Sequence, residues 1–449
     1  MTSGFVRRLQ WALAAVFLSL CFSVPAEAQV SAEGLFAPIK PDTSMAGMDH
    51  GAHSAMDHGA HSAMTGVLGA YPMTRDGSGT SWQPDSSAHD GLHIMSGDWM
   101  FMAHATLNAV YDRQSGPRGD DKFFTSGMVM GSALRTFAEG DKVNFRVMLS
   151  PDPLMGKRGY PLLLASGESA DGRTPLVDRQ HPHDLIMELS TSYSHPLSDK
   201  ASAFIYVGLP GEPAFGPPAF MHRASILDSP EAPISHHWLD STHITFGVAT
   251  GGVIYQNWKA EVSRFTGREP DETRADIDHP RFDSTSARLS WNPTSELAVQ
   301  VSWAQMHSPE GLHPDENERR WSASAIYTTP LWDTGEWSTT VAWGRKEIAG
   351  GANLNAWVLE SAVKPSKLWA VFARAERVQA AELQIPSTSG PAETVNKVSV
   401  GVVRDFPVTS HASIGFGGLY AFNWIPPGLK ASYGGNPSGA MVFARLKIE

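Results

Sequence analysis

Cysteine is nearly absent from this chain, which has a single Cys21 among its 449 residues. That cysteine lies in an N-terminal segment, residues 1–28, with the features of an export signal. Arg7 and Arg8 precede an apolar run over 11–24, and a small-x-small cleavage pattern ends at Ala28. The sequence therefore predicts an exported mature chain without thiols, which excludes disulfides and thiolate metal sites.

The chain also lacks a second long apolar run and an excess of positive charge. Beyond the signal, no stretch reaches the roughly 18 apolar residues of a membrane helix. The formal net charge of −11 makes nucleic acid an improbable partner. There is no P-loop, Gly-x-Ser-x-Gly or His-Glu-x-x-His motif, so we expect no enzymatic activity. A hydrolase site on the rim of a barrel, built from Ser235, His236 and Asp240, is the alternative.

Apolar and polar residues alternate along much of the remaining chain, as in Val143 to Leu149. These segments run to about nine to thirteen residues, longer than the average strand of a soluble sandwich and long enough to cross a bilayer when tilted. Tight turns, for example at Gly251-Gly252, alternate with long connections such as 151–184 and 210–240. We therefore predict an all-β fold, in which residues 98–449 form a transmembrane antiparallel β-barrel of about 16 strands with both termini in the periplasm.

Charged residues within the predicted strands should face the lumen, because a charge on the lipid face costs about 2 to 4 kcal/mol at mid-bilayer. The predicted lumen residues are Arg146, Lys259, Glu261, Arg288, Arg320, Glu360, Arg374, Glu376, Arg445 and Lys447.

An octapeptide is repeated without interruption after the signal, as Met48-Asp-His-Gly-Ala-His-Ser-Ala55 and 56–63. Its small residues cannot build a core, and its thioethers and imidazoles favour copper over zinc or nickel. We expect 29–97 to be a mostly disordered periplasmic arm that binds metal; a solvated linker is the alternative. Trp82 either anchors the end of this arm in the lumen or belongs to a solvated tether. The candidate ligands are Met45, Met48, Asp49, His50, His53, Met56, Asp57, His58, His61 and Met64.

Histidines of the predicted outer loops form a second candidate set, namely His181, His183, His222, His236 and His237. They come from consecutive loops, which emerge side by side on one rim of a barrel. They are candidate ligands of a metal or substrate site in a vestibule above the pore, although loop histidines often do no more than hydrogen bond.

The Met48-Asp-His-Gly unit resembles the Met/His-rich N-terminal region of the outer-membrane copper-resistance B family, which implies a copper-binding arm. The barrel motifs of that family are not found. From Thr80 onward the chain resembles instead a family of Gram-negative outer-membrane barrel proteins that has no established activity. That resemblance is carried by stretches such as Thr80-Ser-Trp-Gln-Pro-Asp85, Asp178-Arg-Gln-His-Pro-His-Asp184 and Ala219-Phe-Met-His-Arg223.

Two functions of different class follow from these patterns. In the first, the arm captures periplasmic copper, which is sequestered or passed toward a polar lumen; outer-membrane lipid, metal ions and periplasmic metal-resistance proteins are then the expected partners. In the second, the protein is a structural or diffusion barrel and its arm is incidental.

Overall fold

The computed structural model describes residues 64–88, 91–332, 334–384 and 392–449. One antiparallel sheet contains 17 strands. The short strand β1 pairs with the start of β2, and the other 16 strands form a ring in which β19 pairs with β2. This closure confirms the predicted barrel and its strand number. The strands are β1 Leu92–Ser96, β2 Trp99–Gln114, β3 Asp121–Thr136, β4 Lys142–Leu149, β5 Tyr160–Ser169, β6 Pro175–Gln180, β7 Ile186–Ser198, β8 Ala201–Gly208, β9 Val248–Tyr255, β10 Trp258–Phe265, β11 Ser284–Thr294, β12 Leu297–His307, β13 Asn317–Leu331, β14 Gly335–Ile348, β15 Asn353–Ser366, β16 Trp369–Ala380, β17 Glu393–Thr409, β18 Ala412–Trp424 and β19 Ser438–Ile448.

The two faces of the barrel wall differ in polarity, because successive residues of a strand point in opposite directions. On β15, Trp357 and Leu359 are exposed, whereas Val358 and Glu360 are buried. The predicted lumen residues are confirmed as inward-facing: Lys259, Glu261, Arg288, Arg320, Glu360, Arg374, Glu376 and Arg445 are buried, and Arg146 and Lys447 are partly buried. An apolar outer belt around a polar interior is the arrangement that a bilayer requires.

Short turns lie at one end of the ring and longer connections at the other, as predicted. The prediction of a turn at Gly251-Gly252 is wrong, because both glycines lie within β9 and the chain turns at Gln256 and Asn257. A Cβ atom on Gly252 would overlap the ring of Phe204 on the neighbouring strand. This glycine therefore makes room for an aromatic side chain rather than turning the chain.

Residues 64–88 are folded inside the ring, which corrects the prediction of a mostly disordered arm over 29–97 for this part of it. Thr80 Oγ1 donates to Glu261 Oε2 of β10 at 2.5 Å, and Lys142 Nζ of β4 donates to Thr65 Oγ1 at 2.6 Å. Trp82 is 4% exposed and lies 4.8 Å from Lys259 Nζ, so it does anchor the segment in the lumen. Disorder was expected because apolar and polar residues do not alternate in this segment. Its hydrogen-bond partners are residues of the barrel wall, far away in sequence.

The connection between β8 and β9, residues 209–247, also enters the lumen. Its buried ion pairs reach four wall strands: Arg223 with Glu360 of β15, Glu231 with Arg374 of β16 and Lys397 of β17, and Asp228 with Arg445 of β19. One connection can contact these strands together only by crossing the interior. It contains the short helix α1 (His236–Leu239), and α2 (Pro427–Tyr433) lies between β18 and β19. No helix in the described ranges is long and apolar enough to cross a membrane.

The hairpin of β5 and β6 fills further space within the ring. Leu162, Leu163 and Leu164 are buried and belong to one apolar cluster with Phe124 of β3 and Phe372 of β16. The lumen is therefore occupied by residues 64–88, the β5–β6 hairpin and residues 209–247.

Candidate metal centre

Three histidines from two long connections meet inside the barrel near its long-connection end. His183 lies between β6 and β7, and His236 and His243 belong to residues 209–247. One ring nitrogen from each lies within 4.8 Å of the others. The ring centroid of His243 is 5.1 Å from that of His183 and 5.2 Å from that of His236. All three side chains are buried, so the cluster is a built part of the interior.

One nitrogen of each ring is held by an oxygen acceptor. His183 Nδ1 lies 2.9 Å from Asp152 Oδ2, His236 Nδ1 lies 2.7 Å from Asp240 Oδ1, and His243 Nδ1 lies 2.7 Å from the Asp240 carbonyl oxygen. The Nε2 atoms of His183 and His243 are buried and have no hydrogen-bond partner among the described residues. A carboxylate or carbonyl oxygen that accepts a hydrogen bond from one ring nitrogen orients the ring. The second ring nitrogen is then free to bind a metal ion, which is the usual arrangement of metal-binding histidines.

Asp240 is fixed in turn by the barrel wall. Arg223 Nη1 donates to Asp240 Oδ2 at 2.5 Å, and the same guanidinium makes two bonds to Glu360 of β15 at 2.8 and 2.7 Å. Burial acts to raise the pKa of the Asp240 carboxyl, but the Arg223 charge outweighs burial and holds that pKa below its ordinary value. Asp240 is therefore a carboxylate that accepts a hydrogen bond from His236.

Burial also controls the charge of the histidine rings. It lowers the pKa of His243 well below its ordinary value, and it lowers the pKa of His236 although Asp240 opposes the shift. Both imidazoles are neutral near neutral pH, and neutral imidazole is the form that binds metal.

The spacing of the three rings fits a metal ion. Nitrogens that lie about 2.0 to 2.1 Å from a tetrahedral ion are about 3.3 Å apart, so closing from 4.8 Å needs only small ring movements. Three protein ligands leave one position open, as in sites that exchange water or another ligand.

The predicted convergence of loop histidines is found for four of the five residues. His181 and His237 adjoin the centre, with ring centroids 5.8 Å apart, and His237 lies 5.7 Å from His236. His222 is not part of this group and lies beside His104, at 6.2 Å between ring centroids. The site is enclosed in the barrel interior, so the expected vestibule above the pore is wrong in its position.

Sequence reasoning missed His243, because its neighbours Thr242, Ile244 and Thr245 favour a strand and it lies beyond the long connection predicted over 210–240. The chain instead makes a short 3-10 turn at Ser241–His243, and β9 begins at Val248. This turn directs the ring of His243 toward His236. The spacing of seven residues between these two histidines is the sequence signal that could have revealed the pair.

The rim hydrolase considered above lacks the geometry of a Ser–His pair. Ser235 Oγ donates to Glu376 Oε1 at 2.7 Å, and His236 Nδ1 is bound to Asp240. The serine hydroxyl thus serves to attach residues 209–247 to β16.

Most of the predicted arm ligands lie outside the described residues, as does the export signal 1–28; these ligands are Met45, Met48, Asp49, His50, His53, Met56, Asp57, His58 and His61. Met64 is described. Its carbonyl oxygen accepts from Met73 N at 2.9 Å, and its side chain packs beside Met73 and Met100.

Comparison with solved structures finds outer-membrane barrels. The OmpF–daunomycin complex of Salmonella typhi has a TM-score of 0.51 at 8% identity, with 80% of this chain and 100% of that chain covered. The OprB high-pH structure of Pseudomonas putida has a TM-score of 0.48 at 9% identity, covering 78% and 94%. An anion-selective porin of Comamonas acidovorans has 0.45 at 11% identity, covering 78% and 100%. No protein-family model and no curated protein matches the chain.

The closed ring, its apolar outer belt and the likeness in fold to OmpF agree. The chain is an outer-membrane β-barrel protein.

Proposed function

We propose that this outer-membrane barrel binds copper inside its lumen, with His183, His236 and His243 as ligands. The observation that carries the proposal is that the Nε2 atoms of His183 and His243 are buried and have no hydrogen-bond partner in the described part of the chain, beside the ring of His236. A buried polar atom without a partner is costly in a folded protein, and a bound cation would remove that cost here.

Copper is favoured over other ions by the nature of the ligands. Imidazole suits copper, zinc and nickel, and Cu²⁺ binds most tightly among the divalent first-row ions at a given site. The thioethers and imidazoles of 45–64 favour copper as well, so an arm that collects this ion would deliver it to a barrel that holds it. Zinc and nickel are the ions against which the selectivity of the centre is measured.

Retention of copper in the lumen is better supported than free diffusion of solutes. Residues 64–88 and 209–247 cross the interior, and buried ion pairs attach the second segment to β15, β16, β17 and β19. A general diffusion barrel needs an open lumen, and these segments occupy the space through which solutes would pass.

The test is copper binding by the purified full-length protein and by the double variant His183→Ala/His243→Ala. We expect the parent to retain one more tightly bound Cu²⁺ per chain than the variant after dialysis, measured by elemental analysis. The control is His195→Ala, since His195 is half exposed at the short-turn end and bonded to Asp141. Unheated and heated gel mobility verifies that each barrel is assembled.

Equal copper content in the parent and the double variant would remove the histidine centre as the binding site. A loss that appears equally in His195→Ala would assign the effect to nonspecific surface binding.

A further inference from the structure

Methionines are concentrated in one part of the barrel interior. Met102, Met128, Met130, Met148 and Met187 form a buried cluster, against which Met221 packs. Met100 joins Met73 and Met64 in an adjoining cluster and lies two residues before Met102 on β2. Nine of the 17 methionines of the chain therefore belong to these two clusters or pack against them.

Packing alone does not account for this concentration. Methionine fills irregular gaps in many cores, so an even distribution would be expected from packing. The largest apolar cluster among the described residues is built mainly from Leu, Ala, Val and Phe. Its buried methionines are Met155 and Met441, and Met221 packs against it as well. The thioethers are collected where the wall faces residues 220–222.

The strand register aligns soft ligands in a row across the lumen face. His104 of β2 is opposite Met130 of β3, and Met130 is opposite Met148 of β4. Directly opposed residues have Cβ atoms about 4.5 to 5.5 Å apart, and diagonal neighbours such as Met102 and Met130 remain within reach of long side chains. Met128 lies on the same face of β3, two residues before Met130.

These side chains surround a cavity. It has a volume of about 200 Å³ and is lined by Met100, Met102, Met128, Met130, Met221 and His222, among others. His222 Nε2 is buried and has no hydrogen-bond partner among the described residues. Burial lowers the pKa of His222 to about 3, so its ring is neutral. The cavity also reaches His183 of the histidine centre.

The chemistry of this lining differs from that of the histidine centre. Thioether sulfur is a soft, uncharged ligand that selects Cu⁺, whereas Zn²⁺ and Ni²⁺ prefer imidazole and oxygen. Both cationic side chains of the lining are already paired, since Arg146 lies 2.8 Å from Glu188 and Lys447 lies 2.6 Å from Glu449. A monovalent ion loses less hydration free energy than a divalent ion when it enters a buried site, so uncharged thioethers can hold Cu⁺ more easily than a divalent ion.

We propose that this cavity is a second metal site, in which the thioethers of Met102, Met128 and Met130 together with His222 bind Cu⁺. The site goes beyond the proposed function, since it involves another oxidation state and another set of ligands. It can be tested independently of the histidine centre.

The test uses Ag⁺, a redox-inert soft ion, as the probe for Cu⁺. Full-length protein with ¹³C-labelled methionine methyl groups is titrated in detergent and followed by NMR, with resonances assigned by single Met→Leu variants. We expect the methyl resonances of Met102, Met128 and Met130 to shift together as about one Ag⁺ binds, whereas those of Met306 and Met441 stay unchanged. Met306 and Met441 are matched controls, because both are buried but belong to other clusters.

A triple variant, Met102→Leu/Met128→Leu/Met130→Leu, should bind about one Ag⁺ less than the parent, and leucine keeps the volume and apolar character of the core. It should retain the Cu²⁺ of the histidine centre, and His183→Ala/His243→Ala should retain the methyl shifts. Unchanged methyl groups at Met102, Met128 and Met130 under Ag⁺ that shifts the arm methionines would overturn the second site, whatever the result at the histidines.

Discussion

Asp240 joins the barrel wall to the histidine centre through one side chain and one carbonyl group. Its carboxylate accepts from Arg223 and His236, and its backbone oxygen accepts from His243. The position of two ligands is thus determined by a residue that would not touch the ion. Outer groups of this kind typically contribute a factor of 10 to 100 in metal affinity.

We therefore expect Asp240→Asn to lower Cu²⁺ affinity about 10- to 100-fold, because the amide keeps the shape but loses the charge that orients His236. Isothermal titration of the full-length protein measures the change. Asp199→Asn, at an exposed turn, is the control. An unchanged affinity in Asp240→Asn would mean that the ring orientation is set by packing alone.

Glu231 neutralises two wall cations at once. Its carboxylate lies 3.0 Å from Arg374 Nη2 and 2.6 Å from Lys397 Nζ, and all three groups are buried. Removing one partner of a buried ion pair leaves the other charge uncompensated, which is far more costly than loss of a surface pair.

Glu231→Gln should accordingly lower the free energy of unfolding in detergent by about 3 kcal/mol, measured by urea titration. Glu139→Gln, in the exposed β3–β4 turn, should change it by less than about 0.5 kcal/mol. Similar effects of the two variants would show that water reaches the Glu231 site.

The residues predicted from sequence were those with a clear chemical signature. His183 and His236 were found because imidazole is a common metal ligand and these two residues fall in consecutive long connections. His243 was missed, since its β-branched neighbours suggested a strand, and Asp152 and Asp240 could not be assigned because a ligand's partner is known only once the chain is folded.

At the scale of elements, the strands of the wall could be predicted from sequence, but the segments that fill the barrel could not. Alternation identifies a strand from its own residues. Residues 64–88 and 209–247 have no such pattern, because their partners are wall residues far away in sequence, such as Glu261 and Glu360. Sequence reasoning left the first as disordered arm and the second as outer loop.

Trp82 shows how the first of these segments is held. Its ring packs edge-on against Tyr71 at 5.1 Å between centroids and lies 4.8 Å from the guanidinium carbon of Arg75. Trp82→Ala should lower the free energy of unfolding by about 3 to 5 kcal/mol, the usual cost of emptying a buried aromatic site. Trp332→Ala is the control, because Trp332 is 74% exposed. Equal unfolding midpoints would mean that the segment leaves the lumen without cost.

At the scale of the whole molecule, residues 64–88 belong to the barrel rather than to the metal-binding arm. The contacts of Met64, Thr65 and Trp82 attach 64–88 to the wall, so a deletion that spares them should spare the barrel. We expect deletion of 45–63 to leave heat-dependent gel mobility unchanged and to lower total bound copper, while the Cu²⁺ at the histidine centre remains. Deletion of 29–44, which holds none of the candidate ligands, is the control. Unchanged copper in the 45–63 deletion would remove the arm as a metal site.

The occupied lumen also determines what can pass through the barrel. Gly216 and Leu239 are neighbours, since a Cβ atom on Gly216 would overlap the Leu239 carbonyl oxygen, so residues 217–238 can be removed by joining these two positions. This deletion withdraws Arg223, Asp228 and Glu231 from the lumen and leaves Glu360, Arg374 and Arg445 facing water. We expect a several-fold larger single-channel conductance in planar bilayers for the deletion than for the parent. Removal of 314–316 from an exposed loop should leave conductance unchanged. A parent that already conducts as much as the deletion would favour a diffusion barrel, because residues 209–247 would then not obstruct the pore.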